Sequence, residues 1–93
     1  MLVSFADDRT RQVWERRRVP SFGSDLQHIA LRKLVMLDAA VQLEDLRIPP
    51  GNRLELLRGT RAGQHSIRIN DQWRICFIWT PAGPEMVEIT DYH

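Results

Sequence analysis

Ninety-three residues with 43 % hydrophobic content fit one globular domain with a small core, and exclude a disordered chain. No apolar run approaches the ~20 residues that span a bilayer, and no basic-then-apolar leader opens the chain, so neither insertion nor export is expected. The formal net charge is only +1, yet 12 of the 13 basic residues are Arg, and the stretch from Arg47 to Arg74 carries six Arg against Glu55 and Asp71. Arg presents a planar fork to phosphate and stacks on bases, so this bias hints at a polyanion partner; Arg-favouring codon usage is the plain alternative. The single Cys76 has no internal disulfide partner and lies in an apolar strand pattern. A buried thiol in a reducing, cytoplasmic setting is expected.

Leu2–Phe5 reads as a short first strand. Asp7–Arg18 reads as a modest helix, acidic at its start and basic at its end as the helix dipole prefers, and Pro20–Gly23 breaks it. Ser24-x-x-Gln27 has the form of a capping box. Behind it Leu26, Ile29, Ala30, Leu34, Leu37 and Val41 recur at helical spacing and predict the main helix. Leu43–Leu46 adds a further turn before Pro49-Pro50-Gly51-Asn52 ends everything helical. After Asn52 the period changes to two. Strands are predicted at Arg53–Leu57, Gln64–Ile69, Gln72–Trp79 and Glu85–Tyr92. Turns fall at Gly59–Gly63, Asn70-Asp71 and Thr80–Pro84. Helices followed by hairpin-linked strands predict a single α+β domain, with two N-terminal helices packed on one face of a mostly antiparallel sheet.

Strand parity divides the sheet. Ile67, Ile69, Trp73, Ile75, Phe77, Trp79, Val87 and Ile89 make an apolar face for the helices. Ser66, Arg68, Arg74, Cys76, Glu88, Thr90 and Tyr92 fall on the other face, which is expected to be polar and open to phosphates.

Arg74 stands between Trp73 and Ile75 in a central strand, where Arg is uncommon. It serves either a cross-strand salt bridge to Glu88 or an RNA phosphate. Arg58 beside Gly59 is either a solvated turn residue or a second cation. Arg16-Arg17-Arg18 is either a solvated helix end or a nucleic-acid grip. His28 lies between apolar helix positions and reads as structural; His65 begins a strand. No His/Cys/Asp cluster has metal-ligand spacing, and no phosphate-loop, dinucleotide or nucleophile-elbow motif is present. Asp91-Tyr92-His93 follows the alternating run Glu85–Thr90, bringing a carboxylate, a phenol and an imidazole to the end of a predicted strand. Cleaving RNA needs a base for the 2′-hydroxyl, cations for the crowded phosphorane and an acid for the leaving oxygen. Arg58 and Arg74 could be the cations, and Asp91, Tyr92, His93 or Glu55 could share the proton work. Alternation puts Asp91 and His93 on one side and Tyr92 on the other, so all three face one phosphate only if the strand end twists or bulges.

Asn52–Gly59, Arg61–Asn70, Gln72–Phe77 and Asp91-Tyr92-His93 together resemble the HigB-type toxins of bacterial type II toxin–antitoxin systems, within the RelE/ParE superfamily. The likeness covers nearly the whole chain, and within the group it looks closest to the GraT-like branch. The resemblance implies a microbial RNase-type fold and metal-independent, cofactor-free cleavage of mRNA on the 70S ribosome. It also implies neutralisation by a HigA-type helix-turn-helix antitoxin, which alone would touch operator DNA. By the same likeness Arg58, Arg74, Asp91, Tyr92 and His93 match the family's catalytic positions. Arg16, Arg17, Arg18, Arg53, Arg61 and Arg68 match its RNA-binding surface. Glu55 stands where some relatives carry a catalytic His. A non-catalytic inhibitor of the ribosome or of DNA gyrase, as in the ParE branch, is the alternative.

Overall fold

The computed structural model describes residues 1–91; Tyr92 and His93 lie outside the described residues. Two helices, α1 (Asp8–Trp14) and α2 (Ser24–Ala39), precede a four-stranded antiparallel meander. Its strands, β1 (Glu55–Leu56), β2 (His65–Arg68), β3 (Trp73–Thr80) and β4 (Gly83–Asp91), pair in chain order. The α+β expectation holds. The predicted first strand is reduced to a single parallel bridge between Phe5 and Val87, flanked by Val3 N–H to Pro84 C=O at 2.8 Å and Ala6 N–H to Val87 C=O at 2.9 Å. These bonds still cover the outer edge of β4.

Helix α1 begins where Asp7 accepts from the Thr10 N–H at 2.9 Å. It ends at Trp14, four residues before the predicted Arg18. Arg16 adopts φ 62°, its N–H bonds to the Val13 carbonyl, and the Arg17 N–H reaches back to Gln12. That is a Schellman closure with Arg in the usual Gly position. Early termination lets Val19 and Phe22 enter the core, and Pro20 disfavours helical backbone at the residue before it. The Ser24–Gln27 capping box does not form: Gly23 is the N-cap of α2 and no side chain caps it. Gln27 instead clamps the α1–α2 loop, accepting from Arg18 Nη1 at 2.8 Å and the Val19 N–H at 3.0 Å while donating to the Arg17 carbonyl at 2.6 Å.

Ala30, Leu34 and Leu37 of α2 pack against Ile67, Ile75, Phe77, Val87 and Ile89 of the sheet, as parity predicts. Val41, expected on the helix face, lies beyond the helix end and is exposed. The capping box that does form closes the 3-10 turn Leu43–Arg47, where the Asp45 carboxylate accepts from the backbone N–H groups of Gln42 and Val41. Those bonds hold its pKa below the ordinary carboxylate value. Helix α1 is tied to the sheet by the buried Thr10, whose Oγ1 accepts from the Ile89 N–H at 2.9 Å.

A bulge interrupts β4. Cys76 pairs with Glu88 and Ile78 with Glu85, so Met86 and Val87 together oppose Phe77. Met86 takes φ 53°, and its N–H is accepted by Ser4 Oγ at 3.0 Å. Before the bulge the buried Pro84 faces the core; after it Val87 and Ile89 do.

Candidate active site

The second face of the sheet is not open at its centre, contrary to expectation. Ser66 and Cys76 are fully buried there. The reason is a layer of ion pairs. Arg61 Nη1 meets Glu88 Oε1 at 3.1 Å and also donates to Gln64 Oε1 at 3.1 Å. Arg74 lies beside Glu55, with Nη2 and Oε2 3.7 Å apart. The predicted Arg74–Glu88 bridge therefore does not form; Glu88 belongs to Arg61. Burial pushes the Cys76 thiol pKa up, while the nearby Arg61 and Arg74 oppose that shift and Glu88 adds to it.

Arg74 is more buried than Arg61 or Arg68 on this face, with its side chain only 13 % exposed. Nε donates to Ser66 Oγ at 2.7 Å, and Nη2 donates to the Arg53 carbonyl at 2.8 Å. Backbone pairing explains both contacts. Arg74 opposes Arg68 on β2 and Thr90 on β4, and Ser66 lies two residues along from Arg68 on the same side of β2. Arg53 turns left-handed, φ 47°, at the end of the 3-10 turn Pro50–Asn52, which aims its carbonyl at the sheet. Two neutral acceptors thus fix the guanidinium plane, and Nη1 has no polar partner among the described residues.

Around this anchor the structure gathers Arg53, Glu55 and Arg68. Arg68 pairs with Asp71. Arg58 is exposed, precedes Gly59 with φ 66°, and its side chain has no polar partner among the described residues. Arg16, Arg17 and Arg18 sit elsewhere, in the α1–α2 loop. Arg16 lies over the Trp14 ring at 5.2 Å, Arg17 faces Glu15, and Arg18 is bound to the Val19 and Phe22 carbonyls through Nη1. A shallow cavity of about 310 Å³ next to them is lined by Arg16, Arg18, Ser24, Gln27, His28 and Leu31.

Asp91 opposes Trp73, so alternation places its side chain on the Trp73 face and not on that of Arg74. Its carboxylate accepts from Gln72 Nε2 at 2.8 Å. Tyr92 and His93, the other two proposed proton carriers, lie outside the described residues. The α1–α2 loop reaches this same end of the sheet: Phe22 meets Trp73 edge-on at 5.5 Å, and the Arg9 guanidinium covers the Phe22 ring at 4.7 Å. Among the described residues no three His, Cys, Asp or Glu side chains are placed to hold a metal ion, and no helix is long and apolar enough to cross a membrane.

Several supporting groups were not singled out from sequence. Ser66 was read only as a polar strand position, and the Arg53 carbonyl has no sequence signal. Asn52 is fully buried behind the site. Its Nδ2 donates to the Leu46 carbonyl at 3.1 Å, and its Oδ1 accepts from Lys33 Nζ at 2.6 Å. Burial, with Arg32 and Arg68 adding to it, lowers the Lys33 pKa.

Comparison with known proteins agrees with this geometry. Residues 3–93 match the family described as RelE-like toxin of type II toxin-antitoxin system HigB. The chain is 44 % identical over 80 residues to Toxin HigB-1 of Vibrio cholerae serotype O1 (strain ATCC 39315 / El Tor Inaba N16961), covering 85 % of this chain and 84 % of that protein. It is 43 % identical over 54 residues to an uncharacterized protein of Haemophilus influenzae (strain ATCC 51907 / DSM 11121 / KW20 / Rd), covering 58 % of this chain and 54 % of the other. In fold it is similar to a chain of the YoeB-YefM complex from Staphylococcus aureus, with a TM-score of 0.63, 14 % identity, and coverage of 100 % of this chain and 98 % of that one. The chain belongs to the HigB family of RelE-like toxins of type II toxin–antitoxin systems.

Proposed function

We propose that this toxin is an endoribonuclease that cleaves mRNA on the 70S ribosome in the cytoplasm, and that a HigA-type antitoxin neutralises it and carries any contact with operator DNA. The observation that carries the reading is Arg74: a guanidinium held by Ser66 and the Arg53 carbonyl, with donors left over among the described residues, on a face that also bears Arg61 and Arg68. Preorganised donors of this kind stabilise charge that develops in a transition state.

In the proposed reaction a base takes the proton of the ribose 2′-hydroxyl and the freed oxygen attacks the adjacent phosphorus. Arg74 and Arg58 neutralise the extra charge of the phosphorane, the part a metal ion plays in other nucleases. An acid protonates the departing 5′-oxygen, leaving a 2′,3′-cyclic phosphate and a 5′-hydroxyl. Asp91, Tyr92 and His93 are the proposed proton carriers, and Arg16, Arg17, Arg18, Arg53, Arg61 and Arg68 the RNA-binding surface.

Mapping transcript 5′ ends after brief induction tests the reading. Cleavage within translated codons is expected, lost in His93→Ala and Tyr92→Phe while the fold survives. Growth arrest of undiminished strength in both variants, without new 5′ ends, would reject it. That result would favour a non-catalytic inhibitor of the ribosome or DNA gyrase, a reading that the position of Asp91 on the Trp73 face supports.

A further inference from the structure

Arg74 has five N–H donors, and among the described residues its two hydrogen bonds go to uncharged oxygens. Among the described residues Glu55 is the one carboxylate paired with it, and that contact is loose. At 3.7 Å it is too long for a hydrogen bond, so the attraction is Coulombic. The neighbouring cations are paired differently. Arg61 is hydrogen-bonded to Glu88, and Arg68 to Asp71. The Glu55 backbone is held in β1 opposite Ser66, yet its side chain is 55 % exposed. A phosphate reaching the open donors of Nη1 and Nη2 would form direct charge-assisted bonds of about 2.7–2.9 Å, shorter and stronger than the contact it replaces.

We propose that Glu55 is a resident competitor for phosphate at Arg74, a carboxylate that weakens RNA binding until the RNA displaces it, and is not the proton acceptor of the reaction. The proposal rests on the endoribonuclease reading for its substrate. It makes Glu55 a tuning residue: it sets how readily the anchored guanidinium accepts an RNA backbone.

The test uses the full chain and a short 2′-O-methyl RNA, which binds but offers no 2′-hydroxyl for attack, with affinity read by fluorescence anisotropy. Glu55→Gln should bind about fivefold more tightly at low salt, the scale of a partly exposed ion pair, and the gain should shrink as salt screens it. Glu85→Gln is the control for overall charge. Glu85 opposes Ile78, about 13 Å along the strand from Arg74, and should change affinity less than twofold. On programmed ribosomes Glu55→Gln should cleave mRNA at least as fast as the parent. Unchanged affinity in Glu55→Gln, an equal gain in Glu85→Gln, or a tenfold or larger loss of cleavage in Glu55→Gln would each overturn the proposal. If neither the parent nor the variant cleaves mRNA, the endoribonuclease reading falls, and the affinity comparison still decides the part played by Glu55.

Discussion

Replacing Asn52 by Ala should show how much of the site's support comes from one buried amide. The side chain is fully buried and joins three elements: the 3-10 turn that ends in Asn52 itself, the turn Leu43–Arg47 through the Leu46 carbonyl, and α2 through Lys33. Truncation strands the Leu46 carbonyl away from water, at about 1–2 kcal/mol. It also removes the charge-assisted acceptor of Lys33; that ammonium can recover part of the loss from solvent, leaving about 1 kcal/mol. Contacts to the Ile48 carbonyl at 3.5 Å and to Met36 Sδ add little. The expected total is about 3 kcal/mol. For a domain of this length that corresponds to a Tm lower by roughly 15 °C. Urea unfolding followed by tryptophan fluorescence measures it directly. A loss under about 1 kcal/mol would mean that water or backbone adjustment replaces the amide, and that the bonds described do not hold the turn.

Gly83→Ala should cost about 3 kcal/mol in the same assay, because φ is 128° and the new methyl would lie 2.1 Å from the Met1 carbonyl oxygen. Arg58→Ala should leave the melting transition in place, since its side chain is exposed, and should lower ribosome-dependent cleavage about 100-fold if Arg58 meets the phosphorane. Burial, aided by Arg47, holds His65 below its ordinary pKa of 6.5 while its Nδ1 is buried without a hydrogen bond among the described residues. The unfolded chain takes up that proton more readily, so stability is fullest above pH 6.5 and declines as pH falls below it. His65→Phe, which keeps an aromatic ring against Phe77, should lose less stability between pH 7.5 and about 5.5 than the parent. An equal loss in both proteins would assign the acid sensitivity to other groups.

The elements were legible wherever periodicity was long. Helix α2 and strands β2 to β4 follow from apolar spacing, and the buried face of the sheet from parity. Helix α1 was read too long because Glu15 to Arg18 suit a helix locally, while burial of Val19 and Phe22 decides where it stops. Strand β1 was read too long because pairing, not propensity, limits it to two residues. At the site, Arg74 was visible as a charge inside an apolar strand, but its partner was not. Parity shows which face a residue takes, not which carboxylate arrives from a strand 19 positions away, and so Glu88 was expected where Glu55 is found. Ser66, the Arg53 carbonyl and the Lys33–Asn52 bond depend on tertiary placement and have no local signature.

The extra residue at Met86 also bears on how chains of this kind can change length. Removing it would leave Glu85 opposite Ile78 and Glu88 opposite Cys76, now in an uninterrupted ladder, with Val87 and Ile89 still turned inward. Removing Val87 instead would keep Glu88 and Ile89 in the same pairing but put Met86 in the inward position against Phe77. A single-codon deletion at Met86 therefore keeps the buried valine in place, whereas one at Val87 trades it for a longer side chain that is now exposed.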